Sequence, residues 1–244
     1  MVRINKFLAK CNLGSRRQVE KLVLDGQIKI NGKVCTDLAS NIRIGKDKVE
    51  YKGQVLQYPQ DNFYIMLNKP PGYLVSHHDD FGRKLVYDLL PEFDIHFFAV
   101  GRLDYRSEGL LLLTNDGDFA QKVIHPRHKL AKVYRVDVNR NLAKSELDKL
   151  RSGMKIDGKS TAPAKVFVKK ETADGMRLKI TIYEGRKRQI RKMIEQVDAK
   201  VTRLKRTQIG SLKLGKLPPG KWRLLNNSEV VKLKRDSYKT EENR

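Results

Sequence analysis

The stretch FFAVGRLDYRSEGLLLLTNDGDFA, residues 97–120, sets a charged loop between two segments that must be buried. Phe97–Val100 and Leu110–Leu113 read as core strands, so Arg102, Asp104, Arg106 and Glu108 fall on the connection between them. Gly101 and Gly109 bracket that connection and permit sharp turns, and the leucines behind it form a rigid platform. Loops carried on such strands are frequent seats of function, although a solvent-facing carboxylate accounts equally for Asp104 taken alone.

Strand signals multiply on both sides of this loop. Tyr64–Leu67, Gly72–Val75 and Val133–Val138 are predicted strands, and residues 167–185 predict two more joined across Asp174-Gly175. Helices are expected near 118–125 and 142–152 and in RKRQIRKMIEQV, 186–197, with a further strand around Trp222–Leu225. The pattern predicts a mixed, mainly antiparallel sheet with helices on its faces. Residues 233–244 read as a polar tail.

The first segment has a different grammar. RINKFLAKC, 3–11, repeats Ile4, Phe7, Leu8 and Cys11 at helical spacing. A second helix begins at Ser15, with Gln18 in the capping-box position and Gly26 to close it. QIKINGKVC predicts a hairpin turning at Asn31-Gly32, and 48–56 a second strand pair turning at Lys52-Gly53. QYPQDN, 57–62, has a linker's composition. The reading is therefore α+β, with a small module at 1–59, a larger domain at 60–232 and a tail at 233–244.

The 244 residues carry 51 Lys and Arg against 28 Asp and Glu, a formal charge of +23. Such a field draws polyanions, so nucleic acid or an acidic membrane face is the expected partner. Residues 1–59 hold 12 basic and 5 acidic residues, so the excess extends over both parts of the chain. No apolar run is long enough to span a membrane and no signal-peptide pattern is present, which makes cytoplasmic residence the expectation. Cys11 and Cys35 lack the spacing of a disulfide framework or a zinc site, and the histidines specify no metal. Neither a Walker A sequence nor a dinucleotide fingerprint occurs.

Arg3, Lys6, Lys10, Arg16, Arg17 and Lys21 can line one side of the two N-terminal helices, where nucleic-acid contact competes with a merely solvated face. Tyr134 lies between Lys132 and Arg135, an arrangement that offers a ring to a base and cations to phosphate, though a core tyrosine fits the alternation as well. Arg186, Lys187, Arg188, Arg191 and Lys192 crowd the start of a helix whose opposite stripe is apolar, which points to phosphate. These residues together indicate an RNA- or DNA-binding protein with one candidate anionic catalyst, and leave the reaction unnamed.

INKFLAKCNLGSRRQVEKLVLDGQIKINGKV resembles an S4 RNA-binding module. LNKPPGYLVS, GRLDYRSEGLLLLTNDGDFA, KVYRV, STAPAKV, YEGRKRQIRKM and RLKRTQIGSLKLGKLPPGKWRLL resemble, in order, the catalytic blocks of bacterial ribosomal-RNA pseudouridine synthases of the RsuA/RluB/RluE/RluF family. The resemblance implies isomerisation of uridine within ribosomal RNA, free or in a partly assembled subunit, by a monomer needing no cofactor and no metal. It makes Asp104 the essential aspartate, Tyr134 the base-stacking tyrosine and Arg191 the arginine paired with the aspartate. Arg102, Arg186, Lys187, Arg188 and Lys192 become backbone contacts. A noncatalytic RNA-binding or ribosome-assembly factor is the main alternative, and a base-releasing glycosylase the second.

Overall fold

The structure is a computed structural model that describes residues 1–93 and 95–238. It divides into two compact units, Met1–Asn62 with Phe93–Phe97, and Phe63–Glu92 with Phe98–Arg244.

In the first unit, helices Ile4–Lys10 and Arg16–Leu24 pack beside a four-stranded sheet. Ser15 and Gln18 form the expected capping box: the Ser15 amide donates to Gln18 Oε1 at 2.8 Å and the Gln18 amide to Ser15 Oγ at 3.4 Å. Ile4, Phe7, Leu8, Val19, Val23, Ile28, Ile42 and Val49 make the core. Asn31-Gly32 and Lys52-Gly53 have positive φ at both residues, the backbone of a type I′ turn that matches the twist of its strands. Both cysteines are free thiols.

The second unit is built on one large sheet whose strands run in the order Lys165–Thr172, Gly175–Ile182, Lys132–Val138, Val201–Ile209, Glu108–Thr114, Tyr64–Lys69, Trp222–Leu224. Neighbours are antiparallel except Val201–Ile209 and Glu108–Thr114, whose parallel pairing joins the two halves of the sheet. Met66, Leu110, Leu112, Phe119, Val123, Ile209 and Leu233 share one core beneath the helices Gly117–Ile124 and Asn227–Tyr238. Among the described residues, no helix is long and apolar enough to cross a membrane.

Three local expectations change. Gly72–Val75 forms no strand but leaves a turn with a single bridge from Leu74 to Leu85, because Pro71 fixes the backbone just before it and Gly72 takes a positive φ outside the extended range. The segment read as a tail from 233 is helical as far as Tyr238, with Val230, Leu233 and Ser237 buried along one stripe; residues 239–244 lie outside the described residues. Glu108 belongs to the strand and not to the loop, and it is buried against Arg203.

Candidate active site

The loop between Phe98–Ala99 and Glu108–Thr114 is fixed from beneath by a lysine. Lys69, last residue of its strand, is 0% exposed, and its Nζ donates to Ser107 O at 2.8 Å, Pro70 O at 3.1 Å and both Asp104 O and Tyr105 O at 3.3 Å. Burial pushes the Lys69 ammonium down to about 8, against the opposing pull of Asp104 and Glu108. The Gly72 amide donates to Tyr105 O and the Ser107 amide to Asp104 O, both at 2.9 Å. The backbone at 104, 105 and 107 is thereby pinned while the Asp104 side chain stays exposed.

Gly109 lets the loop enter its strand at this point. Its φ is +104°, and a Cβ there would overlap the backbone carbonyl of Arg206 across the parallel pairing. The close approach brings Val201–Ile209 against the base of the loop.

The other wall comes from strand alternation. Lys132 and Tyr134 point to the same face, and the cross-strand partners of Tyr134 are Ile180 and Arg206. A cavity of about 360 Å³ lies there, lined by Arg102, Leu103 and Asp104 from the loop, by Lys132, Tyr134 and Arg206 from the sheet, and by the turn Tyr183–Arg188. Tyr134 is 8% exposed, so its ring forms part of the cavity wall. Arg206 is 3% exposed; its Nε donates to Leu110 O at 2.7 Å, while its Nη2 is buried without a partner. Burial, with the Arg206 charge beside it, pushes Lys132 down to about 8. Two cations at the floor of a cavity, one with an unanswered donor, suit a ligand that brings acceptor oxygens.

Asp104 also borders a second, open recess shared with Tyr105, Arg106, Arg188 and Arg191. Arg191 is half-buried on the helix Gln189–Glu195, and its Nη1 donates to Val201 O at 3.4 Å. Burial lowers its pKa and the Asp104 carboxylate raises it, so the two charges sense each other. The ion pairs of the described residues do not include one between Asp104 and Arg191.

The model of the RNA pseudouridylate synthase family matches residues 63–196, and that of the S4 domain matches residues 2–48. The chain belongs to the RNA pseudouridine synthases. An uncharacterized RNA pseudouridine synthase of Aquifex aeolicus is 41% identical over 95% of this chain and 93% of its own length. Ribosomal large subunit pseudouridine synthase B of Bacillus subtilis is 38% identical, with 96% of each chain covered. A crystal structure of a pseudouridylate synthase superposes with a TM-score of 0.68 at 30% identity, over 96% of this chain and all of that one. Family and fold together support RNA isomerase activity in general terms, in a bacterial-type synthase with an S4 domain.

The cations of the synthase separate into two kinds. Arg16, Arg17 and Lys21 are exposed on the second helix of the S4 unit, and Arg3 is exposed with its Nη2 donating to Leu38 O at 3.3 Å. Lys6 and Lys10 are half-buried, and Lys10 Nζ donates to Asn62 Oδ1. In the other unit the basic cluster is largely engaged with its own surroundings. Arg186 bonds Glu184 and the carbonyls of Lys159 and Ser160, Arg188 pairs with Glu195 at 3.6 Å, and Lys192 pairs with Asp157 at 2.5 Å. Lys187 and Arg102 are exposed. The cluster thus braces the cavity turn as much as it presents charge.

Sequence reasoning passed over Lys69 and Arg206 as site residues. Lys69 carried a signal, a lone charge closing the apolar run YIMLNK immediately before two prolines. Arg206 carried a weaker one: it shares the parity of Leu204 in VTRLKRTQI, and that parity is the buried face.

Proposed function

We propose that this synthase converts uridine to pseudouridine at a defined position of ribosomal RNA, with Asp104 as its essential carboxylate. The observation that carries the reading is the position of Asp104. With Arg188 it is shared by the cavity that holds Tyr134 and the recess that holds Arg191, and it is the only carboxylate among the residues common to both. A cavity of about 360 Å³ falls in the range of roughly 300–1,000 Å³ usual for a small-ligand site and suits one extruded nucleotide.

Cleavage of the glycosidic bond puts positive character on C1′ and negative character on the departing base. The Asp104 carboxylate stabilises or traps the first, while Arg206 and Lys132, which line the same cavity, offer cations to the second. Tyr134 keeps the detached ring against the sugar, so that C5 rather than N1 meets C1′, and C5 gives up its proton when the new bond forms. Arg191 orients the Asp104 charge across the recess. The reaction conserves every atom of the RNA apart from exchange of protons with solvent, and calls for no cofactor.

Extruding the uridine costs roughly a few kcal/mol of stacking and pairing. Arg16, Arg17 and Lys21 of the S4 unit, with Arg102 and Lys187 near the cavity, supply compensating phosphate contacts. The name of the Bacillus relative supports large-subunit RNA as the first substrate to try. We assign the chain to the cytoplasm as a monomer. The test is the wild-type protein and Asp104→Asn on naked and partly assembled ribosomal RNA, with binding and modification mapped in parallel. Retained binding with no pseudouridine in the variant supports the reading; RNA binding without product by the wild type in every assembly state would instead favour a noncatalytic assembly factor.

A further inference from the structure

We propose that the sheet face opposite the cavity is a second RNA-binding surface, centred on the cross-strand row Lys179, Arg135 and Lys205. The inference rests on the reading that this chain acts on RNA. Lys132, Tyr134, Leu204 and Arg206 line the cavity, so Arg135 and Lys205, at the intervening positions, point to the other side. Register makes the arrangement specific. Arg135 is the partner of Lys179 on one neighbouring strand and of Lys205 on the other, and Lys179 is in turn the partner of Phe167 on the edge strand.

Three cations therefore stand side by side on adjacent strands. Side chains directly opposite in a sheet approach within about 5 Å at their Cβ atoms, and like charges there destabilise the pairing. A fold selected for stability alone would interleave carboxylates, as the next row does with Arg177, Asp137 and Arg203. Asp137 is held by Arg177, and Glu108, at the end of the charged row, is held by Arg203. Among the described residues none of Lys179, Arg135 and Lys205 has a contact ion pair: Arg135 and Lys205 act on Glu108 only secondarily to Arg203, and the buried Arg135 Nε has no hydrogen-bond partner. Lys165 and Lys170 extend the positive face along the edge strand.

Local arrangements that cost stability without a structural return are where function is expected. The ligand must bring several negative charges in sequence along a line, which a nucleic-acid backbone does. Phe167, 53% exposed at the end of the row, adds a flat apolar surface of the kind on which bases stack. An aromatic beside a cation row favours RNA over an acidic protein segment. A long structured RNA can thus touch the catalytic unit on both faces of its sheet, the target nucleotide on one and a flanking segment on the other.

The test is the double variant Lys179→Gln/Lys205→Gln, with its affinity for an in vitro transcript of large-subunit ribosomal RNA measured across a range of KCl. Each phosphate contact contributes about 0.7–0.9 to the slope of log K against log salt, so two lost contacts lower the slope by nearly two. The expected dissociation constant at physiological salt rises roughly tenfold or more. The thermal midpoint of the same variant should rise, since a repulsive row has been neutralised. Phe167→Ala, which leaves every charge in place, should weaken binding with the salt slope unchanged. An unaltered slope and affinity in the double variant, beside normal wild-type binding, overturns the surface and leaves the row to an acidic protein partner. Absence of RNA binding by the wild-type protein overturns the RNA reading itself, and the surface with it.

Discussion

Replacing Lys69 by Met separates the positioning of the catalytic loop from the stability of the fold. The Lys69 ammonium is fully buried and donates among four carbonyls, three of them on residues 104, 105 and 107. Methionine has a similar length and fills the space, so little cavity is created. Two large terms then oppose each other. Carbonyls left without a donor cost about 1–3 kcal/mol each. Against this, the displacement of Lys69 from its ordinary 10.5 to about 8 corresponds to roughly 3 kcal/mol of penalty on the charged form, which the variant no longer carries. Global stability should therefore move by only about 1–3 kcal/mol. The rate should respond far more, because a loop released by even 1 Å costs on the order of a hundredfold in a positioned reaction.

The pH dependence of the same pair of proteins sharpens this. The folded-state pKa of Lys69 lies below its unfolded value, so the native state binds fewer protons between about pH 8 and 10.5. The ammonium penalty is present in full below pH 8 and is relieved as pH rises through that window, so wild-type stability gains relative to Lys69→Met there. Activity runs the other way: deprotonation takes a donor from the loop carbonyls, and the wild-type rate should fall above about pH 8 with a limb the variant lacks. Single-turnover rates at saturating protein and urea unfolding, each from pH 6 to 10, measure both. A Met variant with the wild-type rate and the wild-type pH profile would refute the reasoning.

Other outcomes follow from the same geometry. Arg203→Met leaves the Glu108 carboxylate, buried and held below its ordinary range by that arginine, without its partner. With Arg203 itself about half exposed, the expected loss is about 1–2 kcal/mol at pH 7, and it should shrink as pH falls through the lowered Glu108 value and the wild type loses the same interaction; urea midpoints at pH 7 and in acid check this. Gly109→Ala forces a Cβ onto the Arg206 carbonyl at positive φ and should cost about 3 kcal/mol or more, read as a lowered thermal midpoint. Arg206→Met removes a buried, incompletely partnered charge, so stability should hold or rise while the single-turnover rate drops about ten- to a hundredfold; an unchanged rate would remove Arg206 from the transition state.

What could be read from the sequence was what local chemistry determines. Asn31-Gly32 and the Ser15–Gln18 box are set by neighbours in the chain, and both form as their residue types require. The charged loop between two apolar runs was legible for the same reason, since burial of Leu110–Leu113 leaves the loop nowhere but a strand end. The central strand Val201–Ile209 was not legible from periodicity. Its Arg203 and Arg206 are held by residues nearly a hundred positions away, so charge falls on both faces of a strand that hydropathy reads as exposed. The final helix was hidden similarly: VVKLKRDSY looks polar overall, yet Val230, Leu233 and Ser237 share a stripe that only a neighbouring sheet can bury. Lys69 shows the limit from the other side, because a buried lysine is disfavoured until carbonyls surround it, and three of its four belong to a distant loop.

The account depends most on Asp104 moving the glycosidic bond from N1 to C5 within intact RNA. Ribosomal RNA labelled with tritium at uridine C5 measures that step, because bonding C5 to C1′ expels the label into water. Wild-type protein should release tritium with no free uracil and no abasic site in the RNA, and Asp104→Asn should bind the same RNA and release none. Tritium release by Asp104→Asn at the wild-type rate would contradict the account.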